Sequence, residues 1–320
     1  MMTNLHGRKL AYSFAVLNAT IIGFSFLFAK IALDYASPLD TLTLRFAASF
    51  AVMSIPVAFG WVKLHYRGKP LRKVLLLAAM YPLGFFTLQA YGLKHATSAE
   101  AGILYAFTPI ATMVLASLFL KETTTVLQKL SVLLSVAGVV FIFAMKGGGI
   151  DLSNLMGIGL LLLTCLAFAG YSVMARSLAS QFSPAEITYL MLGTGFVAFS
   201  IVSLTTHAAA GTIYLLFQPL ASSVFVASIL FLGVISSLVT ALTSNYVLSI
   251  LPASRMSVFS NLSTIVSIGA GAIFLGEHIT AAAIIGSILI ICGVVGANRQ
   301  GQRQGKRTRA SAKTMDSSAL

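Results

Sequence analysis

The chain is dominated by long apolar runs, at about 11–33, 39–61, 73–93, 99–120, 128–146, 156–178, 186–206, 222–249, 253–275 and 280–297. About 20 residues rising 1.5 Å each cross a hydrocarbon core about 30 Å thick. In lipid the backbone must pair its own polar groups, and runs this long and uniform suit helices better than barrel strands. Composition agrees. Hydrophobic residues make up 58% of the 320 and charged residues 9%, against about 25% charged in a soluble domain. The expected fold class is an all-α membrane protein.

The runs also repeat. Residues 91–140 align with 246–295 at a constant offset of 155, placing Tyr91 on Tyr246, Glu122 on Glu277, Thr125 on Thr280 and Gly138-Val139-Val140 on Gly293-Val294-Val295. Earlier segments align at an offset of 146, with Ser37-Pro38 on Ser183-Pro184, Asp40 on Glu186 and Leu44 on Leu190. Each half holds five runs, an odd number, so matching helices cross the membrane in opposite senses. The expectation is ten transmembrane helices as two inverted five-helix repeats, a plan in which two halves commonly enclose a site and rock about it. The chain then divides into an N-terminal segment 1–10, a first repeat 11–146, a glycine-rich outer connector 147–155, a second repeat 156–297 and a basic disordered tail 298–320.

Lys and Arg give the orientation. With the N-terminus inside, the inner segments hold Arg8, Lys9, Lys63, Arg67, Lys69, Arg72, Lys73, Lys121, Lys129, Arg176, Arg255 and the tail residues from Arg299 to Lys313, and the outer loops only Lys94 and Lys146. Such a bias predicts both termini in the cytoplasm and a multi-pass protein of the cytoplasmic membrane. The net charge of +13 is therefore topogenic and needs no nucleic acid. Gly301…Gly305-Lys306 is one residue short of a P-loop, and Arg307 stands where Ser or Thr is required. Cys165 and Cys292 sit in separate apolar runs and read as buried free thiols, while the five histidines read as tail or loop residues. No metal, cofactor or hydrolase motif appears, so an enzyme is not expected.

Several matched residues have local structural readings. Pro38 and Pro184 suit the first turn of a helix, and Asp40 and Glu186 add charge favourable at its N-terminus. Thr125 and Thr280 suit N-caps. Glu122 and Glu277 read as loop–helix junctions, with a functional role as the alternative.

Tyr91-Gly92-Leu93-Lys94-His95-Ala96-Thr97-Ser98, then Thr108-Pro109, Leu118 to Glu122 and Ala137-Gly138-Val139, resemble the first repeat of EamA-type transporters of the drug/metabolite transporter superfamily. Tyr246-Val247-Leu248, Pro252-Ala253, Phe274-Leu275-Gly276-Glu277 and Gly293-Val294 resemble its second repeat. Gly23-Phe24, Lys30, Pro38 and Arg45 look like its first two helices. The chain departs from the pattern at Ile22-Gly23, where Trp-Gly is frequent, at Glu100, where a small residue is usual, and at Met191, which gives Arg45 no counterpart. The resemblance implies ten helices, a central cavity lined mainly by helices one, three, four, six, eight and nine, alternating access, and amino acids, their derivatives and other small metabolites as substrates, often moved outward.

Polar side chains in mid-run are the candidate site. Tyr81, Phe85 and Gln89 share one face at i, i+4, i+8, and Tyr105, Thr108 and Thr112 share another at i, i+3, i+7. Ser257, Asn261 and Thr264 repeat that spacing, with Asn18 and Tyr171 at comparable depth. Each has a packing alternative, because hydroxyl residues also tie transmembrane helices together. That reading is preferred for Ser237, Thr240 and Ser244. Pro82 and Pro109 read as kinks or hinges. Lys30, Arg45 and Glu100 are candidates for gating or ion coupling; the alternative pairs Lys30 with Asp34 and lets Arg45 reach outward to Asp40.

The function expected is secondary transport of a small polar metabolite, an amino acid or derivative, with export the expected direction. A multidrug exporter of lipophilic cations is the alternative, followed by a membrane sensor or enzyme without transport. Partners are a small-molecule substrate and the lipid bilayer, with a homodimer left open.

Overall fold

The computed structural model describes residues 2–95, 104–145, 155–275 and 278–298. Glu100, Glu277, the connector 147–154 and the tail lie outside them. Among the described residues every regular element is helical. Nine helices are long and apolar enough to cross a membrane, and a tenth apolar helix, Thr108–Leu120, is shorter. They are α1 Met2–Leu33, α2 Pro38–Ala58, α3 over 71–95, α4 Thr108–Leu120, α5 Val126–Met145, α6 Leu155–Leu178, α7 Pro184–Ala210, α8 over 223–250, α9 over 253–275 and α10 over 281–298. This is a multi-pass membrane protein.

Local chemistry starts the helices as the sequence indicates. Ser37 and Ser183 cap α2 and α7 by accepting the backbone N–H of Asp40 and Glu186, with Pro38 and Pro184 in the first turn. Thr125 and Thr280 accept from Gln128 and Ala283 at the starts of α5 and α10. Several helices run past their apolar runs. His6 lies within α1, His95 ends α3 and His207 sits in the last turn of α7, so these three are not loop residues. A helix continues into the polar interface wherever its backbone bonds still close.

Two helices are broken. Residues Ala79–Gly84 of α3 form a π-helical segment with Tyr81 in extended backbone (φ −146°, ψ 117°) ahead of Pro82. Residues Phe231–Val239 of α8 form another. Adding 155 to 79–84 gives 234–239, within the second break. Pro82 is thus a true interruption. Pro109 is not a kink, for it lies in the first turn of α4, where a missing N–H leaves nothing unpaired.

Packing exchanges helices between the halves. α1 lies against α8 and α9, and α6 lies against α3 and α4. α2 runs antiparallel to α7, and each end carries a matched acid: Asp40 accepts from Ser203 and meets His207 at 3.0 Å, while Glu186 meets Lys69 at 2.6 Å and accepts the His65 N–H. Glu186 also lies beside Tyr66, whose phenol pKa is raised by burial and by that charge.

α5 and α10 cross at glycines. A Cβ on Gly138 would stand 2.7 Å from the Gly286 carbonyl oxygen and 3.0 Å from Ile290 N; one on Gly293 would stand 2.6 Å from the Ser131 carbonyl oxygen and from Ser135 N. The offset of 155 converts the first set of contacts into the second. Behind this crossing Val132, Val136, Val139, Ile142, Ile290 and Val294 form a core with Ala11 and Ala15 of α1. Cys165 is buried, but Cys292 is exposed on α10. An apolar run does not reveal which face meets lipid.

Candidate functional site

The breaks in α3 and α8 place an aromatic and polar cluster between the halves. The Tyr81 ring packs on Tyr171 of α6 at 4.9 Å, on Phe85 at 5.3 Å and on Phe168 at 5.6 Å. Tyr105 faces Phe85 with ring centroids 6.2 Å apart. Such tilted and offset pairs are favourable beyond their burial alone. The i, i+4 spacing therefore brings Tyr81 and Phe85 together even though the helix between them is irregular.

Polar groups finish the cluster. Tyr171 is 2% exposed, and its hydroxyl donates to Asn245 Oδ1 on α8 at 3.1 Å. Asn245 Nδ2 in turn donates to Thr188 Oγ1 on α7 at 2.9 Å. Gln89 and Thr164 flank the Tyr105 hydroxyl, which is buried and meets no hydrogen-bonding geometry. Cys165 Sγ donates to the Leu104 carbonyl at 3.3 Å nearby, and Thr108 is buried at the start of α4.

Arg45 closes one side. It sits seven residues into α2, about 10 Å along the helix from its start, and is 9% exposed. Its Nε donates to Ser237 at 2.6 Å and its Nη2 to Ser236 at 3.2 Å, both on the α8 break. The guanidinium lies 4.9 Å from the Phe86 ring centroid. Arg45 does not reach Asp40, whose carboxylate is taken by Ser37, Ser203 and His207. Ser237, expected as helix glue, does join two helices, but its partner is a charge.

The remaining candidates lie elsewhere. Asn18 donates to Ser244 at 3.0 Å and accepts from Thr243, tying α1 to α8. Asn261 donates to Ser135 of α5 at 2.9 Å and so belongs to the α1–α5–α9–α10 core rather than facing Tyr81, Gln89 and Tyr105. Thr264 is half-buried on α9. The side chains of Lys30 and Glu100 lie outside the described residues. Asn245, Phe86 and Phe168 were missed from the sequence. Asn245, a large amide in mid-run, carries the same signal that singled out Asn18.

Two clefts open at opposite ends of the bundle. One of about 720 Å³ is lined by Tyr35, Asp40, His207 and Ser222; one of about 460 Å³ is lined by Glu122, Arg176, Ser249 and Pro252. Neither marks the site by its size. The Asp40 oxygens are already satisfied, and Arg176 is spent on the Leu248 and Ser249 carbonyls. Glu122 accepts from Ala253 N, Ser254 N and Ser254 Oγ, which is the loop–helix junction expected of it. Among the described residues the hydroxyls of Tyr12, Thr41 and Tyr105 and Arg255 Nε are buried without a partner. Of these Tyr105 belongs to the aromatic cluster, beside which Arg45 keeps donors to spare.

A helical membrane bundle with a buried aromatic and polar cluster among its helices suits a transporter. The family model described as "EamA-like transporter family" matches residues 9–144 and 155–299. This chain belongs to the EamA-like transporter family. It is 46% identical over 308 residues to "Uncharacterized transporter YcxC" of Bacillus subtilis (strain 168), covering 96% of this chain and 99% of that one. An "Uncharacterized transporter" of Archaeoglobus fulgidus is 27% identical over 285 residues, covering 87% and 95%. The "S-adenosylmethionine/S-adenosylhomocysteine transporter" of Chlamydia muridarum is 29% identical over 217 residues, covering 63% and 66%. A crystal structure superposes with a TM-score of 0.77 over 93% of this chain and 99% of that chain, at 18% identity, a likeness of fold.

Proposed function

We propose that the chain is a secondary transporter that binds an amino acid or amino-acid derivative between its halves and moves it outward across the cytoplasmic membrane by alternating access. The observation that carries this reading is the buried cluster of Tyr81, Phe85, Tyr105, Tyr171 and Asn245, drawn from both halves of the chain. Aromatic faces suit a flat or apolar moiety, and the amide and phenol groups supply orienting hydrogen bonds. The relative named for S-adenosylmethionine and S-adenosylhomocysteine supports the choice of class, since both compounds join an amino acid to an aromatic base.

The ten-helix inverted layout with cytoplasmic termini belongs to the same proposal. Its supports are the basic inner loops and the glycine contacts that the offset of 155 interchanges. Alternating access then consists of rocking one half against the other around the cluster. A buried guanidinium at the cluster opposes lipophilic cations, so the multidrug reading is set aside. The test is counterflow uptake into proteoliposomes, with S-adenosylhomocysteine and the amino acids as a panel. Uptake of at least one member is expected. Absence of uptake for every member by folded protein contradicts the proposal.

A further inference from the structure

Arg45 is a fixed cation about 10 Å inside a membrane helix, and among the described residues it faces no carboxylate. Its backbone is held tightly. Ser49 Oγ donates to both the Arg45 and Gly233 carbonyls, and a Cβ on Gly233 would stand 2.7 Å from the Arg45 carbonyl oxygen. The head is held only in part. Two neutral serine hydroxyls take Nε and Nη2, whereas Nη1 makes no hydrogen bond among the described residues. A guanidinium carries five N–H donors in a planar fork, so the Nη1–Nη2 edge keeps donors to offer.

An uncompensated cation at this depth costs several kcal/mol, and a chain that keeps one needs an anion to meet it. The duplication does not account for it, because the matched position in α7 is Met191, 1% exposed and packed in a core. The guanidinium borders the aromatic cluster. Phe86 lies under the guanidinium at 4.9 Å, and the Tyr81 ring packs on Phe86 with centroids 5.6 Å apart. Both hydroxyl partners and Tyr81 itself stand on the two helix breaks, and π-helical segments recur at functional sites.

We propose that Arg45 is the anchor for a carboxylate, and that the solute carries one carboxylate group that meets the Nη1–Nη2 edge while its apolar part lies on Tyr81 and Phe86. The planar fork matches two carboxylate oxygens. One cation opposite one anion leaves the occupied site neutral, which favours a carboxylate over a phosphate dianion. The inference rests on the transport reading above and narrows it to the charge class of the substrate.

The experiment pairs each acid with a form in which only the carboxyl group is made neutral. The purified full-length protein is titrated with amino acids, S-adenosylhomocysteine and 3-phenylpropionate, each beside its amide or methyl ester, and with inorganic phosphate, and ligand-induced thermal stabilisation is read. In the wild type the acids bind at least about tenfold tighter than their amides or esters, and phosphate gives no stabilisation. Arg45→Gln abolishes the difference between acid and amide, and Arg45→Lys keeps part of it. Equal binding of acids and amides by the wild type, binding of neither, or a preference for phosphate overturns the inference. The wild-type comparison stands even if Arg45→Gln fails to fold. Counterflow uptake of the amides or methyl esters as fast as that of the corresponding acids would overturn the carboxylate anchor and leave the transport reading intact.

Discussion

Replacing Gly138 or Gly293 by Ala should damage the α5–α10 crossing by the same amount. The new Cβ would meet backbone atoms at 2.7 and 3.0 Å at Gly138 and at 2.6 Å at Gly293, far inside ordinary contact, and backbone cannot swing aside as a side chain can. The two helices must separate by several tenths of an ångström along a core that includes Val139, Ile142 and Ile290. Overpacking of this kind costs roughly 1–3 kcal/mol, offset by roughly 0.5–1 kcal/mol that Ala gains over Gly in a helix. A net loss of about 0.5–2 kcal/mol is expected for each variant, seen as a lower melting temperature in detergent. The double variant should lose less than the sum, because one separation of the helices relieves both clashes. Gly269→Ala is the control, as nothing lies within 4 Å of its new Cβ, and it should melt at or above the wild type. Gly138→Ala and Gly293→Ala melting like that control, or only one of them losing stability, would refute the reasoning.

Glu122→Ala removes three hydrogen bonds from the start of α9 and should destabilise by about 2–4 kcal/mol, whereas Glu122→Gln keeps an acceptor and should lose about half as much; equal losses in melting temperature would count against the junction. Tyr171→Phe leaves Asn245 Oδ1 buried without its donor and should cost about 1–3 kcal/mol, again read by thermal melting, with no change expected if that bond were water-replaceable. Reporter fusions after Lys69, Lys121, Arg176, Arg255 and the C-terminus should read cytoplasmic, and those near Lys94, Gly148 and Ala209 outside; swapped signals at two adjacent sites would break the proposed ten-helix layout.

Helix positions were legible because a membrane-spanning segment must be long and apolar wherever it packs. Capping was legible for a similar reason: Ser37-Pro38 and Ser183-Pro184 act on residues three positions away. The site was legible only within each helix. Tyr81 and Phe85 were singled out by their spacing, while Arg45 was a candidate for gating or ion coupling whose one partner in view was Asp40, a neighbour on its own helix. Its observed partners, Ser236 and Ser237, come from a segment almost 200 residues away that only the fold brings close. Asn261 shows the converse. Its spacing with Ser257 and Thr264 suggested the cavity, but its amide donates to Ser135. Asn245 was missed, and its partners Tyr171 and Thr188 come from other helices.

The most direct test of substrate binding between the halves is the apparent affinity of counterflow uptake in proteoliposomes reconstituted with folded Gln89→Ala, Asn245→Ala and Asn261→Ala variants. Loss of one hydrogen bond to substrate is worth roughly 0.5–1.5 kcal/mol for a neutral group and 1.5–3 for a charged one. Gln89→Ala and Asn245→Ala should therefore weaken affinity by several-fold to about a hundredfold, while Asn261→Ala, bonded to Ser135 in a separate core, leaves it unchanged. Unchanged affinity in the first two variants, or a loss confined to Asn261→Ala, would contradict the account.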